Sequence, residues 1–104
     1  MSITKQFLKT RSAYKVRFRL SAAEAQDAQE LCVAGDFNGW DMQTHPMTRN
    51  KNGNFSLEVT LPAGGVQRFR YIADNSRWIT DKEADGLEYC PFAQDDNSLL
   101  SLEP

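Results

Sequence analysis

A chain of 104 residues with an apolar fraction of 40% fills one modest hydrophobic core and no second, so a single domain over residues 1–104 is expected. A catalytic barrel needs roughly 250 residues; none fits here, so no catalytic residues are assigned and any enzymatic step is expected to lie elsewhere. Twelve basic and fourteen acidic side chains give a net charge of -2, which offers no long-range attraction for nucleic acid and is compatible with a neutral polymer. Residues Met1 to Leu8 lack the apolar core of a secretory signal and no stretch is long enough for a membrane span, so the expected compartment is the cytoplasm, away from membranes.

Tyr14, Val16, Phe18 and Leu20 alternate with Lys15, Arg17 and Arg19, the period-two pattern of a strand with one dry and one wet face. Ser21-Ala22-Ala23-Glu24 reads as a capping box opening a short helix or loop from Ala22 to Ala28. Strands follow over Leu31 to Phe37 and over Phe55 to Leu61, the second begun by Asn52-Gly53 and ended by Pro62. From Val66 to Asp74, Phe69, Tyr71 and Ala73 share one face while Arg68, Arg70 and Ile72 share the other. A last strand spans Ser98 to Leu102, and residues 41 to 52 and 80 to 96 read as irregular. Short strands separated by Gly, Pro, Asn and Asp turns, with no competing helical period, predict an all-β antiparallel sandwich.

Two segments share one plan. Val33-Ala34-Gly35-Asp36-Phe37-Asn38-Gly39-Trp40 runs a short apolar strand into an Asn-Gly turn that presents a tryptophan; Phe69 to Trp78 repeats strand, polar turn and tryptophan. A large flat ring at a turn is a candidate docking plate, and two indoles on neighbouring loops can form one platform. Trp40 and Trp78 are the candidate plates, although either ring can instead serve as a core plug.

This pair, with the Asn97-Ser98-Leu99-Leu100 strand, resembles the glycogen-binding modules of carbohydrate-binding family forty-eight. These are early-set, immunoglobulin-like domains of starch-branching and debranching enzymes and of the beta subunit of the AMP-activated protein kinase, so the resemblance implies an immunoglobulin-like β-sandwich. The likeness spans about residues 14 to 102. It implies non-catalytic binding of an α-1,4-glucan without cofactor or metal, and partnership with a glycogen-metabolising enzyme. It also implies that Trp40 and Trp78 stack on sugar rings while Arg70 and Asn97 hydrogen-bond hydroxyls at the rim. Some members add a leucine just before the asparagine; here the matching neighbourhood is Phe92-Ala93-Gln94-Asp95-Asp96, with alanine nearest that place. The alternative reading is a protein-interaction or regulatory module whose glucan site has decayed and whose exposed aromatics form an interface.

The remaining motifs have plainer readings. Cys32 and Cys90 are expected to stay reduced in the cytoplasm. Asp81 to Gly86 copies the first half of a calcium loop, but Phe92 stands at the twelfth position where a bidentate Glu is needed. His45, the single histidine, precedes Pro46 and reads as an exposed loop residue. A glucan hydrolase would need two spaced carboxylates; Asp36 with Asp41, or Asp81 with Asp85, are better read as turn residues.

Overall fold

A computed structural model describes residues 2–103. Among the described residues the strands are β1 (Ser2–Leu8), β2 (Ala13–Leu20), β3 (Leu31–Gly35), β4 (Thr48–Arg49), β5 (Phe55–Pro62), β6 (Val66–Ala73), β7 (Arg77–Ile79), β8 (Gly86–Cys90) and β9 (Asp95–Ser101). They form two antiparallel sheets, ordered β1-β2-β5-β4 and β3-β6-β9-β8, with β7 also paired to β6. The result is the all-β sandwich that the alternating pattern predicts, of the immunoglobulin-like type that the resemblance implies. Among the described residues no helix is long and apolar enough to cross a membrane.

The inner faces meet in one core. Val16, Phe18 and Leu20 of β2 are buried against Val33 of β3 and Phe69, Tyr71 and Ala73 of β6. Phe18 lies at its centre, edge-on to Phe69 with ring centroids 5.3 Å apart and edge-on to Tyr71 at 6.3 Å. Such pairs add about 0.5–1.5 kcal/mol each beyond the area they bury. Leu57 and Val59, which continue the alternation of β5, are half-buried and pack against the margin of this core.

The structure adds one strand that the sequence pattern does not mark, Ser2 to Leu8, an edge strand paired along its length to β2, and corrects several local expectations. The irregular span 41–52 contains the two-residue strand β4, paired to β5. The irregular span 80–96 contains β8, paired to β9 from Gly86↔Leu99 to Cys90↔Asp95. The capping box does form, Ser21 Oγ accepting the Glu24 N–H and Glu24 Oε1 accepting the Ser21 N–H. No helix follows, because Gln26 and Asp27 adopt left-handed φ values of 55° and 60° and fold the chain back. Finally, β3 ends at Gly35, and a 3-10 turn occupies Asp36–Asn38. The adjacent strands β3 and β6 crowd at Gly35, the cross-strand partner of Phe69: a Cβ there would lie 2.5 Å from the Arg68 carbonyl oxygen, so this position has no room for a side chain.

A buried polar cluster fixes the segment after β7. Tyr71 donates its hydroxyl to Asp81 Oδ2 at 2.9 Å, Asp81 Oδ1 accepts the Glu83 N–H, and the Asp81 N–H donates to Ser98 Oγ at 2.7 Å. Asp81, read above as part of a calcium-like motif, is wholly buried and has both carboxylate oxygens engaged by the protein. Burial, reinforced by the Asp81 charge, holds the Tyr71 hydroxyl well above its ordinary pKa of 10.0.

Candidate functional site

Outside the β3-β6-β9-β8 sheet lies a groove of about 620 Å³ lined in part by Trp40, Arg68, Arg70, Trp78, Phe92 and Asn97. All four residues singled out in the sequence line it, and the sheet register explains why. Phe69 and Tyr71 point into the core, so Arg68 and Arg70 point outward. Trp78 is the cross-strand neighbour of Ile72 and shares that outer face. Ser98 pairs with inward Phe69, which turns Asn97 outward beside Arg70.

Trp40 reaches the same face through an uncommon backbone. Gly39 and Trp40 take consecutive left-handed φ values of 65° and 61°, a conformation costly for a bulky side chain. Two hydrogen bonds hold it: the Trp40 N–H donates to the Gly35 carbonyl at 2.8 Å, and its indole Nε1 donates to Asp36 Oδ1 at 3.0 Å. Asp36 is fixed in turn by Oδ2, which accepts the Arg68 N–H at 2.8 Å. Behind the turn, Asn38 Oδ1 accepts the Gly35 N–H and Nδ2 donates to the Val33 carbonyl. His45, expected in the open, is half-buried here, with Nδ1 2.9 Å from Asn38 Nδ2 and its ring edge-on to Phe37.

The two indole centroids are 6.4 Å apart with planes inclined at 52°. Trp78 is 41% exposed and Trp40 half-buried, so the pair presents a bent aromatic surface. Arg70 departs from the expectation of a solvated strand arginine. It is buried, in the gap where β9 stops pairing with β6 at Phe69 and β7 starts at Tyr71, and its Nε donates to Asn97 Oδ1 at 3.0 Å. With that acceptor occupied, the Asn97 amide NH₂ and the terminal NH₂ groups of Arg70 remain as donors.

Arg68 was not a candidate, although its place two residues before Arg70 on the same strand face could have marked it. It is tied to Glu88 and Asp36 at the groove's edge. Hydrogen bonding from Arg68 holds the Glu88 carboxyl below its usual range. Phe92, at the tip of the β8–β9 turn, is 99% exposed. Cys32 and Cys90 sit on β3 and β8, the opposite edges of one sheet. Three strand spacings, about 14 Å, separate those edges, beyond the reach of a disulfide.

Two antiparallel sheets packed face to face, with an open aromatic groove outside one of them, define an immunoglobulin-like β-sandwich. The family model of carbohydrate-binding module 48, the isoamylase N-terminal domain, matches residues 7–86, and the chain belongs to that family. The match takes in Trp40, Arg70 and Trp78 and stops before Asn97. Similar proteins include a 1,4-alpha-glucan branching enzyme of Xanthomonas euvesicatoria, 41% identical over 56 residues, or 54% of this chain and 7% of the relative. Another, from Burkholderia lata, is 39% identical over 69 residues, covering 64% of this chain and 9% of the relative. A third, from Yarrowia lipolytica, is 32% identical over 63 residues, with 53% and 9% covered. The chain thus spans less than a tenth of the length of these relatives.

Proposed function

We propose that this chain is a non-catalytic module that binds α-1,4-glucan in the groove outside the second sheet. The reading rests chiefly on the inclined indole pair beside the buried Arg70–Asn97 pair. A glucan offers successive apolar ring faces to the indoles and hydroxyls to the amide and guanidinium donors. Planes inclined at 52° suit a chain that curves from one sugar to the next, as α-1,4-linked glucose does, better than a flat chain. The branching-enzyme relatives support the same ligand class. A single module over residues 1–104, acting in the cytoplasm with a glycogen-metabolising enzyme as partner, completes the proposal.

The rival reading, a protein-interaction module with a decayed site, draws on the full exposure of Phe92 and on exposed Tyr89 and Leu87. Electrophoresis through a native gel containing glycogen separates the two. Retarded migration, abolished in Trp78→Ala, supports glucan binding; unretarded migration of the wild type rejects it.

A further inference from the structure

The net charge of -2 conceals a strong separation of charge. Residues 1–20 and 48–62, which supply all four strands of the first sheet, hold eight basic side chains and one acid, Glu58; the remaining residues hold four basic and thirteen acidic. One part of the sandwich therefore has a surplus of seven positive charges, and the rest a surplus of nine negative ones, as follows from those counts.

The positive charge is ordered. Lys15, Arg17 and Arg19 alternate with buried Val16 and Phe18 on β2, so the three cations point away from the core in a row with steps of about 7 Å. Their cross-strand neighbours are mostly neutral: Gln6 and Thr60 beside Lys15, Thr4 with Glu58 beside Arg17, and Ser56 beside Arg19. None of the three makes an ion pair among the described residues, Arg17 and Glu58 included. Arg17 and Arg19 also line a shallow polar hollow of about 460 Å³ with Ser21, Asn50, Asn54 and Ser56. Among the described residues Glu58, across from Arg17, is the one acid beside this row, which leaves two of the three positive charges unbalanced, and like charges placed so close repel one another.

We propose that the outer face of the β1-β2-β5-β4 sheet is a docking surface for a carboxylate-rich face of a partner protein. The partner would lie on the side of the sandwich opposite the tryptophan groove, with two sheets about 10 Å apart between them, so both faces can be occupied together. Charge complementarity sets the chemistry, and the size of the basic field sets the class. A long polyphosphate strand would run past the sheet into the field of the thirteen acids, which repels it, whereas a compact acidic patch stays within the sheet's outline. The contact would act at short range, because physiological salt screens charge over about 8 Å.

The test uses a short, fluorescently labelled oligo-L-glutamate peptide, about six residues long and so within the sheet's outline, as probe and anisotropy as readout, in 50 mM and 300 mM salt. The variant is Lys15→Thr/Arg17→Thr/Arg19→Thr; threonine suits exposed strand positions, and an unchanged thermal transition establishes that it folds. The expected result is binding by the wild type that weakens about tenfold or more at the higher salt and about tenfold in the triple variant. Saturating maltoheptaose should leave the probe bound. Absence of binding at 50 mM salt, or equal binding by the triple variant, overturns the proposal. Tighter binding of an oligonucleotide of equal charge overturns the assignment to a polypeptide. Should the triple variant fold poorly, Arg17→Thr alone decides: about a twofold or greater loss is expected, and no loss overturns the proposal.

Discussion

Arg70 Nε donates to Asn97 Oδ1 over 3.0 Å, and both side chains are buried although they stand on the outer face of their sheet. The sequence presents them as two separate rim residues, whereas the fold makes them one unit. The Arg70 donor fixes which end of the Asn97 amide is the acceptor and leaves its NH₂ group to donate elsewhere. Arg70→Ala should therefore weaken glucan binding and also destabilise the fold by about 1–3 kcal/mol, the usual cost of leaving a buried polar group unpaired. Urea denaturation checks the second effect; a change within error would show that Asn97 finds another donor.

Trp78→Ala should separate binding from stability in the opposite sense. Its ring is 41% exposed, so maltoheptaose affinity should fall while the melting temperature stays nearly constant. The proper contrast is Leu100→Ala. Leu100 is wholly buried, whereas Leu57 is only half-buried, and truncating a buried leucine costs about 2–5 kcal/mol. Equal destabilisation by the two substitutions would place Trp78 in the core.

Asp36→Ala removes the acceptor of the Trp40 indole and the anchor of the Arg68 N–H together. The indole should then swing into solvent, with a red shift of tryptophan emission and a loss of affinity of about 1 kcal/mol or more. Unchanged emission and affinity would show that the left-handed backbone at Trp40 positions the ring unaided.

The Tyr71–Asp81 pair predicts a specific alkaline response. Folding raises the Tyr71 pKa above 10.0, so the folded chain holds a proton that the unfolded chain releases near pH 10. Its contribution to stability is complete below that pH and is lost as pH rises toward the folded value. Tyr71→Phe should lower stability at pH 7 by about 1–3 kcal/mol, since Asp81 loses a donor, and should flatten this part of the pH profile. Denaturant titrations from pH 8 to pH 11 with both proteins measure it; parallel profiles would contradict the assignment.

The sandwich was legible wherever a strand has one dry and one wet face, as in β2 and β6, where alternation assigned Phe69, Tyr71 and Ala73 to the core. Edge strands gave weaker signals for physical reasons. In β1 the alternation of Ile3 and Phe7 is interrupted by Lys5, whose ammonium reaches Asp85 and the Ser101 carbonyl on the other sheet. In β8, Leu87, Glu88 and Tyr89 are all exposed, so no alternation exists to detect. The capping box at Ser21 was legible as chemistry, but the left-handed turn at Gln26 and Asp27 carries no glycine to mark it. Position relative to turns brought out both tryptophans that line the groove. The burial of Arg70 depends on the gap between β9 and β7, which is a property of pairing that a linear pattern does not record.

The central claim is that the Trp40–Trp78 face holds α-glucan. Isothermal titration with maltoheptaose at low and high salt, on the wild type and Trp78→Ala, tests it most directly. Stacking and neutral hydrogen bonds release few counterions, so the account predicts saturable wild-type binding that is nearly independent of salt and lost or strongly weakened in Trp78→Ala. Absence of wild-type binding, or undiminished binding by a folded Trp78→Ala variant, would contradict it.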